Sequence, residues 1–205
     1  IPYPLKFIAS NTLTNIQFSS TGVLYGMYCG YLGDGNQASS SQIKLNTLQN
    51  IRNSTTLYGL TTAAITSPNY PVLISENSIS GLFNTVNGAS ILGAYLNSGS
   101  ASAGLHFYRN RLFNLGANGT SAAVYGIYTG ATSTTNIYNN LVSQLTASNS
   151  GGANRINGLY IASGNAVNVW YNSIVLSGSS AGINFGTNAL YAVSNASLQL
   201  INNVL

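Results

Sequence analysis

The chain has 205 residues, of which 4% are charged and 45% hydrophobic. That pairing excludes a disordered chain, which is poor in apolar residues and rich in charge; a core is available here, and a charged surface is what is missing. The net charge of +4 comes from six basic and two acidic side chains, but Lys6, Lys44, Arg52, Arg109, Arg111 and Arg155 are scattered, which predicts isolated solvated cations and no nucleic-acid partner.

The first residues, Ile1-Pro2-Tyr3-Pro4, include no Met, no basic segment and no apolar leader. The last, Asn202-Asn203-Val204-Leu205, stop inside a repeat. Both ends read as cuts, so the expectation is a single section, residues 1–205, of a longer repeat protein. No apolar run reaches the ~18 residues of a membrane span. Cys29 is the one cysteine, so no disulfide can form within the chain.

Two anchors recur along the chain. The first is an Asn with an apolar residue three before it and another two after it. In order the copies are Ile8/Asn11/Leu13, Ile43/Asn46/Leu48, Ile74/Asn77/Ile79, Phe107/Asn110/Leu112, Ile137/Asn140/Val142, Val169/Asn172/Ile174 and Leu200/Asn203/Leu205. Five residues after the Asn most copies add another apolar side chain, namely Ile16, Ile51, Leu82, Leu115 or Leu145, and Ser177 breaks that column. The second anchor is a Gly with apolar or aromatic neighbours. It runs Tyr25-Gly26-Met27, Tyr58-Gly59-Leu60, Leu92-Gly93-Ala94, Tyr125-Gly126-Ile127 and Asn157-Gly158-Leu159, with a decayed sixth copy expected at Tyr191-Ala192-Val193. Copies start about 33 residues apart, a period that marks a repeat architecture.

Helical repeats of that length need Ala, Leu, Glu and Lys, whereas these units carry Gly, Asn, Ser and Thr. Val72-x-Ile74, Leu105-x-Phe107, Val167-x-Val169 and Leu198-x-Leu200 alternate with the period of strands. Short strands between Gly/Asn/Ser turns, once per unit, describe the coils of a solenoid. The Asn column explains the bends, since Asn tolerates the left-handed backbone and bonds nearby main chain. Coils stacked ~4.8 Å apart let each Asn amide bond the next, so Asn11, Asn46, Asn77, Asn110, Asn140, Asn172 and Asn203 are expected to form one ladder.

Segments such as Tyr138-Asn139-Asn140-Leu141-Val142, Trp170-Tyr171-Asn172-Ser173-Ile174 and Ile201-Asn202-Asn203-Val204 resemble the right-handed parallel β-helix families. These include the pectate-lyase-like proteins and the parallel β-helix repeat surface proteins of bacteria. The resemblance implies an all-β solenoid of six to seven coils. It also implies a secreted or surface location and, for the carbohydrate-active members, catalytic acids: two or three carboxylates in hydrolases, Asp-bound calcium and a basic residue in lyases. The coil here is longer than the family's usual one, and segments such as Gly33 to Ser41 and Ser98 to Ser102 read as loops.

Little chemistry is visible in the side chains. The carboxylates are Asp34, in the turn Gly33-Asp34-Gly35, and Glu76, just before a ladder Asn; they fall in different parts of their repeats. His106 alternates with Leu105 and Phe107 and is expected on the outside of a strand. Cys29 reads as a small wall residue. Tyr25, Tyr58, Tyr125 and Tyr191 are expected to stack as one column of the solenoid. The sequons Asn53-Ser54-Thr55, Asn118-Gly119-Thr120 and Asn195-Ala196-Ser197 are expected on loops.

The reading is therefore a structural or adhesive section of a large secreted or cell-surface β-helix protein, with no catalytic residue, metal site or cofactor. Its candidate partners are glycans, a host or neighbouring cell surface, and other copies of itself. The alternative is a carbohydrate-binding or carbohydrate-active β-helix whose active site lies outside this section or is lost.

Overall fold

The structure is a computed structural model that describes residues 6–19, 21–32, 39–63, 65, 68–99, 103–193 and 197–205. Three strands make each coil. The first has β1 (Phe7–Ala9), β2 (Thr12–Gln17) and β3 (Leu24–Gly30); the second β4 (Gln42–Lys44), β5 (Thr47–Asn53) and β6 (Leu57–Ala63). The third has β7 (Val72–Ser75), β8 (Ser78–Asn84) and β9 (Ile91–Leu96); the fourth β10 (Leu105–Tyr108), β11 (Arg111–Ala117) and β12 (Val124–Thr129). The fifth has β13 (Thr134–Tyr138), β14 (Leu141–Ala147) and β15 (Ile156–Ile161), and the sixth β16 (Ala166–Trp170), β17 (Ser173–Val175) and β18 (Thr187–Ala192). A seventh opens with β19 (Ser197–Ile201).

Every third strand pairs, in parallel. The first sheet is β1-β4-β7-β10-β13-β16-β19, the second runs from β2 to β17 and the third from β3 to β18. This is an all-β parallel β-helix. Equivalent residues stack in register, as in Ile43↔Ile74↔Phe107↔Ile137↔Val169. Those five are fully buried, as are Leu48, Ile79, Leu112, Val142 and Ile174 from the second sheet, and the third sheet adds Leu60, Ala94, Ile127 and Leu159. Leu200 keeps the phase but is 47% exposed, because β19 pairs with β16 on one side only.

The ladder forms over its whole length. The Asn46 backbone N–H and Nδ2 both donate to Asn77 Oδ1, at 3.0 and 2.9 Å, while Nδ2 also donates back to the Ile8 carbonyl at 3.0 Å. Asn77, Asn110, Asn140 and Asn172 repeat that scheme, each bridging three coils. Asn11 donates to Asn46, and Asn203 donates to the Val169 carbonyl. A buried amide left unmatched would cost about 1–3 kcal/mol; here both donors and the acceptor are used.

The bend itself is not made by the ladder Asn. The left-handed residue is the one before it: Ser10, Leu45, Glu76, Arg109, Asn139, Tyr171 and Asn202, with φ between 49° and 58°. The ladder side chain must stay inside the corner to reach both neighbours, so the preceding residue turns and its side chain points to solvent. A second left-handed column, Asn15, Asn50, Gly81, Asn114 and Gln144, lies within the second-sheet strands. Each of these residues drops out of the pairing register. That interruption lets apolar residues two and five after the ladder Asn, such as Leu48 and Ile51, both face inward, which strict alternation would forbid.

The Gly anchor marks a close approach of two coils to the second sheet. A Cβ on Gly59 would lie 2.3 Å from the Gly93 carbonyl oxygen and 2.9 Å from Ile79 Cγ2; on Gly126 it would lie 2.5 Å from Val142 Cγ1. The sixth copy is Asn188-Ala189-Leu190, not Tyr191-Ala192-Val193, since Leu159 pairs with Leu190 and Tyr160 with Tyr191. Ala is accommodated there because β18 is the last strand of its sheet.

Candidate functional site

With the interior filled by apolar columns and the ladder, any recognition surface is built from outward-facing columns. The third sheet has the simplest: its six strands contain no Asp, Glu, Lys, Arg or His. Tyr25 and Tyr58 stack at 4.9 Å, Tyr58 meets Tyr95 at 5.6 Å, and Tyr95 meets Tyr128 at 5.4 Å. Tyr128 and Tyr160 stack at 4.9 Å, and Tyr160 and Tyr191 at 5.2 Å. The column is therefore two registers side by side. Tyr25, Tyr58 and Tyr125 share one, and Tyr28, Tyr95, Tyr128, Tyr160 and Tyr191 share the other. Tyr191 thus belongs to a different register from the one its spacing suggested.

Stacking decides what this face offers. In the Tyr128–Tyr160–Tyr191 run the ring faces lie on each other, so the outward surface is ring edges and hydroxyls. Burial and, secondarily, neighbouring phenols hold the Tyr58 and Tyr128 hydroxyls above the ordinary phenol range, and the same holds at Tyr125 with Tyr160 beside it.

The first sheet carries a more mixed outer face. Tyr108 and Tyr138 stack at 4.9 Å and Trp170 follows at 6.1 Å. Beside them runs the register His106↔Asn136↔Asn168. Asn168 Nδ2 donates to Asn136 Oδ1 at 2.8 Å, and Asn136 Nδ2 donates to His106 Nε2 at 3.1 Å. That leaves the His106 proton on Nδ1, aimed at the Tyr138 hydroxyl 3.4 Å away. Burial lowers the His106 pKa, so the ring is neutral at neutral pH. His106 thus lies on the outside of its strand, half-buried, as expected.

The cations are not isolated. Lys6 donates to the Tyr31 carbonyl. Lys44 lies over Phe7, Arg52 over Phe83 and Arg111 beside Phe113. Arg155 donates to the Gly151 and Ser121 carbonyls. Arg109 faces Glu76 at 3.8 Å, both in the left-handed column and both largely exposed. Asp34 lies outside the described residues. Cys29 is buried in the wall, where burial pushes its thiol up to about 11. Among the described residues no group of three or more His, Cys, Asp or Glu could hold a metal ion, and no helix is long and apolar enough to cross a membrane.

Asn53 departs from the loop expected for its sequon. It ends β5, is buried, and donates from Nδ2 to the Gly22 and Thr56 carbonyls and to Thr55 Oγ1. Asn118 is exposed beyond β11 and accepts from Asn149 Nδ2; Asn195 lies outside the described residues. The second left-handed column and the Asn136–Asn168 pair escaped the sequence reading. Asn and Gln at four of the five positions of the former were the available signal. Comparison with known proteins brings no matching family model, no matching curated protein and no matching solved structure.

Proposed function

We propose that the chain is a structural or adhesive section of a secreted or cell-surface protein, a rod whose regularity is its purpose. The observation that carries this is the Asn ladder from Asn11 to Asn203, unbroken through every coil. It is a device for repeating a cross-section along an axis. The uncharged face of the third sheet and the contacts of the cations with carbonyls, rings and Glu76 accord with the same reading, since they leave a surface rich in amides, hydroxyls and ring edges, suited to broad, weak contacts with glycans, another cell surface or further copies. The test is to assay the purified section on pectin, alginate and host glycans, beside an Asp34→Asn, Glu76→Gln double variant. No turnover by either is expected. Turnover that disappears in the double variant would overturn the reading.

A second reading, a carbohydrate-binding or carbohydrate-active β-helix, draws on the first sheet's outer face. There Asn136, Asn168 and His106 stand beside Tyr138 and Trp170, a pairing of amides and aromatics that suits a neutral sugar. Binding on a glycan array that is lost in Asn136→Ala, without turnover, selects this reading.

A further inference from the structure

The third sheet's tyrosines form a continuous chain of ring contacts from Tyr25 to Tyr191, none longer than 5.6 Å. Three of those contacts are near-parallel: Tyr25–Tyr58 at 17°, Tyr128–Tyr160 at 16° and Tyr160–Tyr191 at 14°. In each pair the backbones are registered partners on neighbouring strands, so the two phenols emerge side by side and point the same way. No cation or carboxylate shares the sheet to hold the rings apart.

From this we infer that the tyrosine column is an oxidative cross-linking site, at which a one-electron oxidant couples phenols of adjacent coils into dityrosine. Each of two tyrosines loses one electron to the oxidant and one proton to water, giving two phenoxyl radicals. The radicals join through the ring carbons ortho to oxygen, and the two hydrogens on those carbons shift to the oxygens, restoring both phenols. Two electrons and two protons leave per bridge; with hydrogen peroxide as terminal acceptor they yield two waters. Ring contact along the whole column lets a radical formed at one coil reach a stacked pair elsewhere. The product ties coils together covalently in a chain that cannot form an internal disulfide. It holds whatever the rod binds.

Exposure alone would direct oxidation elsewhere. Tyr31 is 75% and Tyr171 56% exposed, but both stand outside the column in the left-handed conformation, with no ring packed on either among the described residues. The experiment is to treat the dilute chain with a heme peroxidase and peroxide, and in parallel with a small photo-oxidised ruthenium complex and persulfate. Bridges are then located by peptide mass mapping. Tyr25–Tyr58, Tyr128–Tyr160 and Tyr160–Tyr191 bridges within one chain are expected, with a rise in the unfolding midpoint. In Tyr160→Phe, which keeps the stack and removes the phenol, the last two disappear and Tyr25–Tyr58 remains. The inference is overturned if neither oxidant gives these bridges, if coupling runs through Tyr31 or Tyr171, if Tyr160→Phe changes nothing, or if the urea-unfolded chain gives the same pairs in the same yield.

Discussion

Two corners of each coil solve the same bend in different ways. Between the first and second sheets the turn is always two residues, a left-handed one and the ladder Asn: Leu45-Asn46, Glu76-Asn77, Arg109-Asn110 and so on. Between the third and first sheets the connection varies, from Gly30 to Gln42 in the first coil to Ile161 to Ala166 in the fifth. Ladder spacings of 30 to 35 residues therefore record changes made away from the ladder. The first corner is closed because its amides are buried and every hydrogen bond must be found within the protein. The second can change length because no side chain there has to bridge three coils, although its backbone still pairs with the neighbouring coil, as Gly130 N–H does with the Leu96 carbonyl and Thr132 N–H with the Ser98 carbonyl.

The largest effect should come from breaking the closed corner. Asn110→Ala strands the buried Asn77 backbone N–H and takes the Nδ2 donor from the Ile74 carbonyl, while Asn77 Nδ2 keeps the Ile43 and Ser75 carbonyls; it should cost about 2–6 kcal/mol at about 1–3 kcal/mol for each group left unmatched, read by urea denaturation. Beneath that corner, Phe107→Ala should cost about 3–5 kcal/mol, since Phe107 is fully buried between Ile74 and Ile137; a cost under about 1 kcal/mol would show that the core collapses around the gap. Gly126→Ala places a methyl against Val142 and the Gly158 carbonyl and should cost about 1–3 kcal/mol.

Smaller effects belong to the open side. Because burial lowers the His106 pKa from 6.5, the unfolded chain binds the proton more readily. The His106 contribution is complete above about pH 6.5 and is lost as pH falls below that value. The fall in thermal midpoint across that window should flatten in His106→Gln. Last, a Gly-Ser insertion within the exposed stretch 85–88 should cost under about 1 kcal/mol, whereas the same insertion between Asn139 and Asn140 should abolish cooperative unfolding of the intact rod.

The sequence by itself determined the repeat, its strand character, the inward columns and the identity of the ladder residues. Each of these depends on a side chain that must recur at one phase, so a single chain displays it. The ladder Asn was legible because Asn alone recurs at that phase in all seven copies, carrying an amide with two donors and an acceptor on the shortest side chain that has one. Tertiary structure alone decided which residue turns left-handed. Backbone conformation there is imposed by the need to bury the following amide, and Leu45, Glu76 and Tyr171 adopt it against their own preference. It also decided the register of the sixth coil and the merging of two tyrosine registers into one column, because connections of changing length shift position along the chain without shifting position in space.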